Sequence, residues 1–141
     1  MPIAGLGQGP PVGNMRFLVE VDGLPGGGAL EVLFPEARIG ASGGAGRRAE
    51  FGLLTIRRAV TASSAWYDWW DDSRTARAPA ARDLIVVAIG SDGAPSHVWR
   101  YRHATPVAYA LSGFHALGEG VLVESLELTV ADFTAEHLAG Q

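Results

Sequence analysis

Between Thr61 and Asp72 the apolar residues of this chain change period. Ala62, Ala65, Trp66, Trp69 and Trp70 fall at i, i+3, i+4, i+7 and i+8, one face of an α-helix. Ser63, Ser64, Tyr67, Asp68, Asp71 and Asp72 take the other faces. Thr61 precedes the pattern and is the expected N-cap, because its hydroxyl can accept from the free N–H groups of the first turn. Pro79 marks the loop beyond. The three tryptophans Trp66, Trp69 and Trp70 are the expected structural core, since aromatic side chains bury a large apolar area. Everywhere else the apolar residues alternate or form short blocks, the pattern of strands.

Met15 to Asp22 places Phe17, Val19 and Val21 on one face, and Gly23 to Gly28 stops it with turn residues. Leu30 to Phe34 is a second strand, ended by Pro35. Ile39 to Arg48 is glycine-rich and reads as an exposed loop. Phe51 to Val60 carries Leu54, Ile56 and Val60 on one face and Arg57 on the other. Asp83 to Ile89 is a continuous apolar run, so a central strand. Ser91-Asp92-Gly93 turns it into His97 to His103. Pro106 opens a further strand, Val107 to Leu111, and Ser112 to Gly120 is a loop. Val121 to Val130 is the longest strand, with Glu124 breaking its apolar face, and a short tail follows. The expected fold is mainly β: an antiparallel barrel or sandwich of about seven strands with one amphipathic helix packed against it. Residues 1–14, rich in Gly and Pro, read as a flexible arm before one domain over 15–141.

No candidate catalytic site emerges. The glycine runs at 5–9 and 23–28 lack the strand-then-helix setting of a phosphate loop. His97, His103, His115 and His137 show no metal-ligand spacing. Alternation puts His97 and His103 on one side of a strand, about 20 Å apart, too far for one ion. Asp71 and Asp72 diverge on a helix, and Glu124 and Glu127 take opposite faces of a strand. The chain has no cysteine, which removes disulfides, thiolate metal sites and thiol nucleophiles. No catalytic group, cofactor or metal is therefore expected. The formal net charge is -4, against the basic balance of a nucleic-acid binder. No apolar run approaches the roughly 20 residues that span a bilayer, so no membrane anchoring is expected. Charged residues make up 18% and mean hydropathy is +0.14. So little charge on a small domain points to apolar surface held for partners. Arg47-Arg48 and Arg57-Arg58 read as solvated or charge-paired subunit contacts rather than phosphate ligands.

Four stretches, in this order, resemble the phage tail tube protein family. Arg16 to Gly23 is similar to its opening strand, and Leu54 to Thr61 to the strand leading into its helix. Trp66-Tyr67-Asp68-Trp69-Trp70-Asp71 is similar to the aromatic helix, and Val121 to Leu128 to the closing strand. Between them, Asp83 to Pro106 resembles the family's hairpin. The likeness runs from Met15 to Phe133. It implies a structural subunit and not an enzyme: a virion component that forms hexameric rings, which stack into the hollow inner tube of a contractile phage tail or injection system. Implied partners are further copies of the chain, sheath and baseplate proteins, and DNA or effector cargo passing without specific binding. The implied location is the cytoplasm of the producing bacterium, then the assembled particle. Gly43, Gly44, Arg47, Arg48 and Arg57 are the expected subunit-interface residues. Open ring stacks need two different sticky faces per subunit, and sheet edges can serve as pairing surfaces. Gly23 to Leu53 is short where the family carries an extended hairpin, which allows a divergent paralogue at the baseplate or tube end. The reading from another class is a small ligand-binding β-barrel with the tryptophans lining its mouth, which would be a monomer.

Overall fold

The computed structural model describes residues 16–25, 28–40, 48–76, 80–118 and 120–138; the proposed arm at 1–14 lies outside them. Among these residues nine strands and one helix follow in order: β1 (Phe17–Val21), β2 (Ala29–Leu33), β3 (Ala37–Gly40), β4 (Arg48–Phe51), β5 (Leu54–Ala59), α1 (Ala65–Thr75), β6 (Arg82–Ile89), β7 (Pro95–Leu111), β8 (Val123–Thr129) and β9 (Asp132–His137). Seven of the strands join one antiparallel network in the order β1-β6-β7-β8-β5-β2, with β9 also paired to β7. β3 and β4 form a separate two-stranded hairpin.

The network is an open sandwich rather than a closed barrel, and β7 is its corner. The first half of β7 pairs with β6 and β9; the second half pairs with β8. A bulge opposite Arg82–Leu84 sits at the change of sheet, the usual device for a strand that serves two sheets. His103 occupies it with φ 53, and its N–H is taken by Asp83 Oδ1 at 3.1 Å. The extra residue resets the alternation: Tyr101 and then Ala104 are the buried positions. His97 and His103 therefore do not keep the common face that plain alternation assigns them.

Three differences from the sequence reading have local causes. β7 continues through Pro106, where a break was expected. Its second half is an outer strand, and there a missing N–H costs no ladder bond. The Pro106 carbonyl accepts from Ser73 Oγ at 3.0 Å, so α1 lies along that edge. The helix begins at Ala65 with Ser64 at the N-cap and no side-chain capping bond, not at Thr61. Thr61 and Ser63 bond instead to the backbone N–H groups of Ser63 and Ala65, a local alternative to helix that hydroxyl residues favour. The segment 39–48, read as a loop, supplies the paired ends of β3 and β4. Short strands ending in glycine show too few alternations to read. Phe51 meets Phe133 edge-on at 5.8 Å and ties the hairpin base to β9.

The core joins both inner faces to the helix: Val19 and Val21, Leu54 and Ile56, Leu84 and Val86, Tyr101 and Ala104, Leu126 and Leu128, with Trp66 and Trp69. Trp70 is half-buried, packed at the margin of this cluster. It forms an aromatic group with Tyr67 (6.0 Å between ring centres) and Tyr109 (6.2 Å), which fastens α1 to β7.

Candidate assembly surface

Among the residues expected at an interface, Gly43, Gly44 and Arg47 lie outside the described residues. Arg48 opens β4 and is exposed on the hairpin. Arg57 sits on the outer face of the second sheet, half-exposed, with Glu31 at 3.0 Å and Ser125 Oγ at 3.1 Å. The structure thus puts Arg48 and Arg57 in different sheets. A half-exposed pair such as Arg57–Glu31 is worth about 0–1 kcal/mol.

The neighbouring residue is the more consequential one. On β5 the inward positions are Leu54, Ile56 and Arg58; Val60 lies past the strand end and is partly exposed. Arg58 stands directly opposite Glu124 of β8. Its Nε donates to Glu124 Oε2 at 2.6 Å, while Tyr109 Oη donates to Glu124 Oε1 at 2.7 Å. The guanidinium lies over the Trp66 ring, 4.4 Å from its centre. Arg58 and Glu124 are 6% and 2% exposed, so the ion pair is internal, and it links both sheet strands to the helix. Arg58 Nη2 is buried without a hydrogen-bond partner among the described residues.

The tyrosines report on this interior. Burial, reinforced by the bond to Glu124, pushes Tyr109 up to about 12. Burial alone pushes Tyr101 up to about 12. The ordinary value is about 10. A phenol kept protonated in the fold stabilises it fully below pH ~10, and that contribution is lost as pH rises from ~10 to ~12. We therefore expect alkaline unfolding in that window. In a tyrosinate absorbance titration, two of the three tyrosines should ionise late or together with unfolding. Simultaneous ionisation of all three near pH ~10, with the fold intact, would contradict their burial.

Two exposed apolar features complete the surface. A groove of about 500 Å³ separates β2 from the inner face of the first sheet, lined by Phe17, Leu30, Leu33, Phe34, Val86 and Trp99. Phe34 meets Trp99 at 5.1 Å on its floor. Elsewhere the β7–β8 loop raises Phe114, 87% exposed, and Leu117, fully exposed, with Leu111 and Val121 at its neck. Neither feature was singled out from sequence, because only the third dimension shows which apolar residues lack a cover. His97 and His137, paired across β7 and β9, stack at 4.5 Å, another long-range meeting. Among the described residues no group of three or more His, Cys, Asp or Glu could hold a metal ion, and no helix is long and apolar enough to cross a membrane.

The family model described as T4-like virus tail tube protein gp19 matches residues 13–134. The chain belongs to this tail tube protein family. It is accordingly a structural protein and not an enzyme, and the resemblance read from Met15 to Phe133 holds. Comparison with curated protein sequences finds no match. Solved structures similar to this tail tube protein include the following three. A chain of the anti-feeding prophage baseplate is 19% identical with a TM-score of 0.67, over 92% of this chain and 97% of that one. A chain of the sheath-tube complex of PVC, an extracellular contractile injection system, in the extended state is 15% identical with a TM-score of 0.66, over 98% and 99%. Hcp1 from Flavobacterium johnsoniae is 17% identical with a TM-score of 0.63, over 86% and 94%. At these identities the likeness establishes the fold. The two particle chains are covered almost end to end, and this tail tube protein carries its own β3–β4 hairpin. Within 23–53 the described residues hold β2 and the two short paired strands β3 and β4.

Proposed function

We propose that this tail tube protein is a repeating subunit of the inner tube of a contractile phage tail or injection particle. Its residues 15–141 act as one tube-forming domain. Six copies close a ring, and rings stack into a hollow conduit within a sheath and upon a baseplate, with cargo passing along the lumen. The protein is made in the cytoplasm of the producing bacterium and ends in the particle. The observation that carries the reading is the family match over residues 13–134. Support also comes from the fold shared with a chain of a sheath-tube complex. The exposed apolar residues Phe114 and Leu117, raised together on one loop, are in keeping with a surface covered by a partner.

Negative-stain electron microscopy of the purified protein, with its mass in solution, tests this. Rings with a mass of six subunits, and stacks at higher concentration, are expected. Single rings that never stack would move the protein to a tube end or baseplate. A monomer at every concentration would overturn the repeating-subunit reading and favour a ligand-binding barrel.

A further inference from the structure

The second sheet has two outer strands, β2 and the C-terminal half of β7, with β5 and β8 between them. Three strand spacings of about 4.8 Å put those edges about 14 Å apart. The groove flanks β2, and the apolar loop rises from the end of β7. The two features therefore belong to opposite lateral edges of the subunit. The loop does not fill its own groove. Its neck is closed by the bonds Ser112 N–H to Val123 O and Val123 N–H to Ser112 Oγ, and Leu117 stays fully exposed.

We infer that the β7–β8 loop of one subunit seats in the β2 groove of a second copy, with Phe114 and Leu117 as the inserted side chains. A groove of about 500 Å³ lies within the roughly 300–1,000 Å³ of clefts that bury small ligands, so it can take an aromatic and an aliphatic side chain. Phe34 and Trp99 offer ring faces and edges to Phe114 on the groove floor. The loop is largely uncharged between Ser112 and Gly118, with His115 its one titratable group there. Arg16 and Glu31 stand among the groove residues, so apolar insertion has a polar rim. The largest apolar patch of a typical monomer is roughly 300–600 Å², and a standard interface takes about 800 Å² from each partner. The loop supplies the centre of such an interface, and the flanking edges supply the rest. Knob and groove are different surfaces, so the contact is head-to-tail and repeats from copy to copy. A closed ring results when the rotation per step divides the circle. The inference rests on the tube reading and names the lateral contact within it.

The absence of cysteine makes the test direct. Leu117→Cys and Leu30→Cys are introduced singly and together; both positions are more than half exposed, so the fold tolerates them. Under mild oxidation the double variant should give a ladder of disulfide-linked oligomers ending at the ring number. Each single variant should give no more than a trace of dimer. Leu117→Asp should raise the concentration needed for rings at least tenfold while leaving the melting curve unchanged. Rings by microscopy without a ladder would overturn this contact and leave the tube reading standing. A dimer as strong from the single Leu117→Cys variant would also overturn it, because it would mean loop against loop. Neither rings nor ladder at any concentration would sink both readings.

Discussion

Glu124→Ala should lower the unfolding free energy by roughly 3–5 kcal/mol, the cost of stranding a buried charge. The charge left behind is the Arg58 guanidinium, 6% exposed, whose Nε loses its acceptor at 2.6 Å. Tyr109 Oη loses its acceptor as well. Among the described residues Arg58 and Glu124 are the two buried polar or charged ones, so no second carboxylate stands by to replace the first. Against a total stability of about 5–15 kcal/mol, such a loss leaves little. The partner experiment separates the charge from the packing. Arg58→Met with Glu124→Leu removes both charges, and pairs replaced this way are often neutral or stabilising. Urea melts of the two variants should thus differ by several kcal/mol in favour of the double change. A single variant that loses less than about 1 kcal/mol would show that Arg58 escapes to water.

Trp69→Ala should cost a similar amount, roughly 3–5 kcal/mol, for a different reason. Trp69 is 1% exposed and central to the core. Removing its indole opens a cavity that the rigid sheets around it cannot close. It also orphans the Ala80 carbonyl, to which the indole N–H donates. That bond holds the chain just before β6, so the helix and the first sheet loosen together. Trp70→Ala should cost distinctly less, since Trp70 is half-buried and leans on Tyr67 and Tyr109. Thermal melts of both variants check the order. Equal losses would mean that Trp69 and Trp70 share one undivided core, and an unchanged curve for Trp69→Ala would remove it from the core altogether.

Much of the fold could be read before the third dimension. The strand–helix–strand order, the inward faces of β1 and β8, the central place of β6 and the helix itself follow from local pattern alone. So does the puzzle at Glu124. A carboxylate on an apolar face asks for a buried cation, and Arg58, at an inward position of its strand, was the matching signal. Arg58 takes that inward position by the same alternation that places Leu54 and Ile56, while Val60 lies past the end of the strand. The assembly surface was the least legible part. Exposed apolar residues such as Leu33 and Phe114 carry the same local pattern as buried ones, and only a missing neighbour distinguishes them.

By itself, then, the sequence determined the helix, the strands β1, β2, β5, β6 and β8, the class of fold and the family, because period and the order of motifs are local properties of the chain; it passed over β3, β4 and β9, which are read as a loop and a tail. The tertiary structure alone decided which distant residues meet: Arg58 with Glu124, His97 with His137, Phe51 with Phe133. It also decided that β7 bends at His103 to serve two sheets, and that a groove and an apolar loop stand at opposite edges. Those outcomes depend on register and on which surfaces remain uncovered after packing. Both are set by contacts between segments far apart in the chain, which no local period encodes.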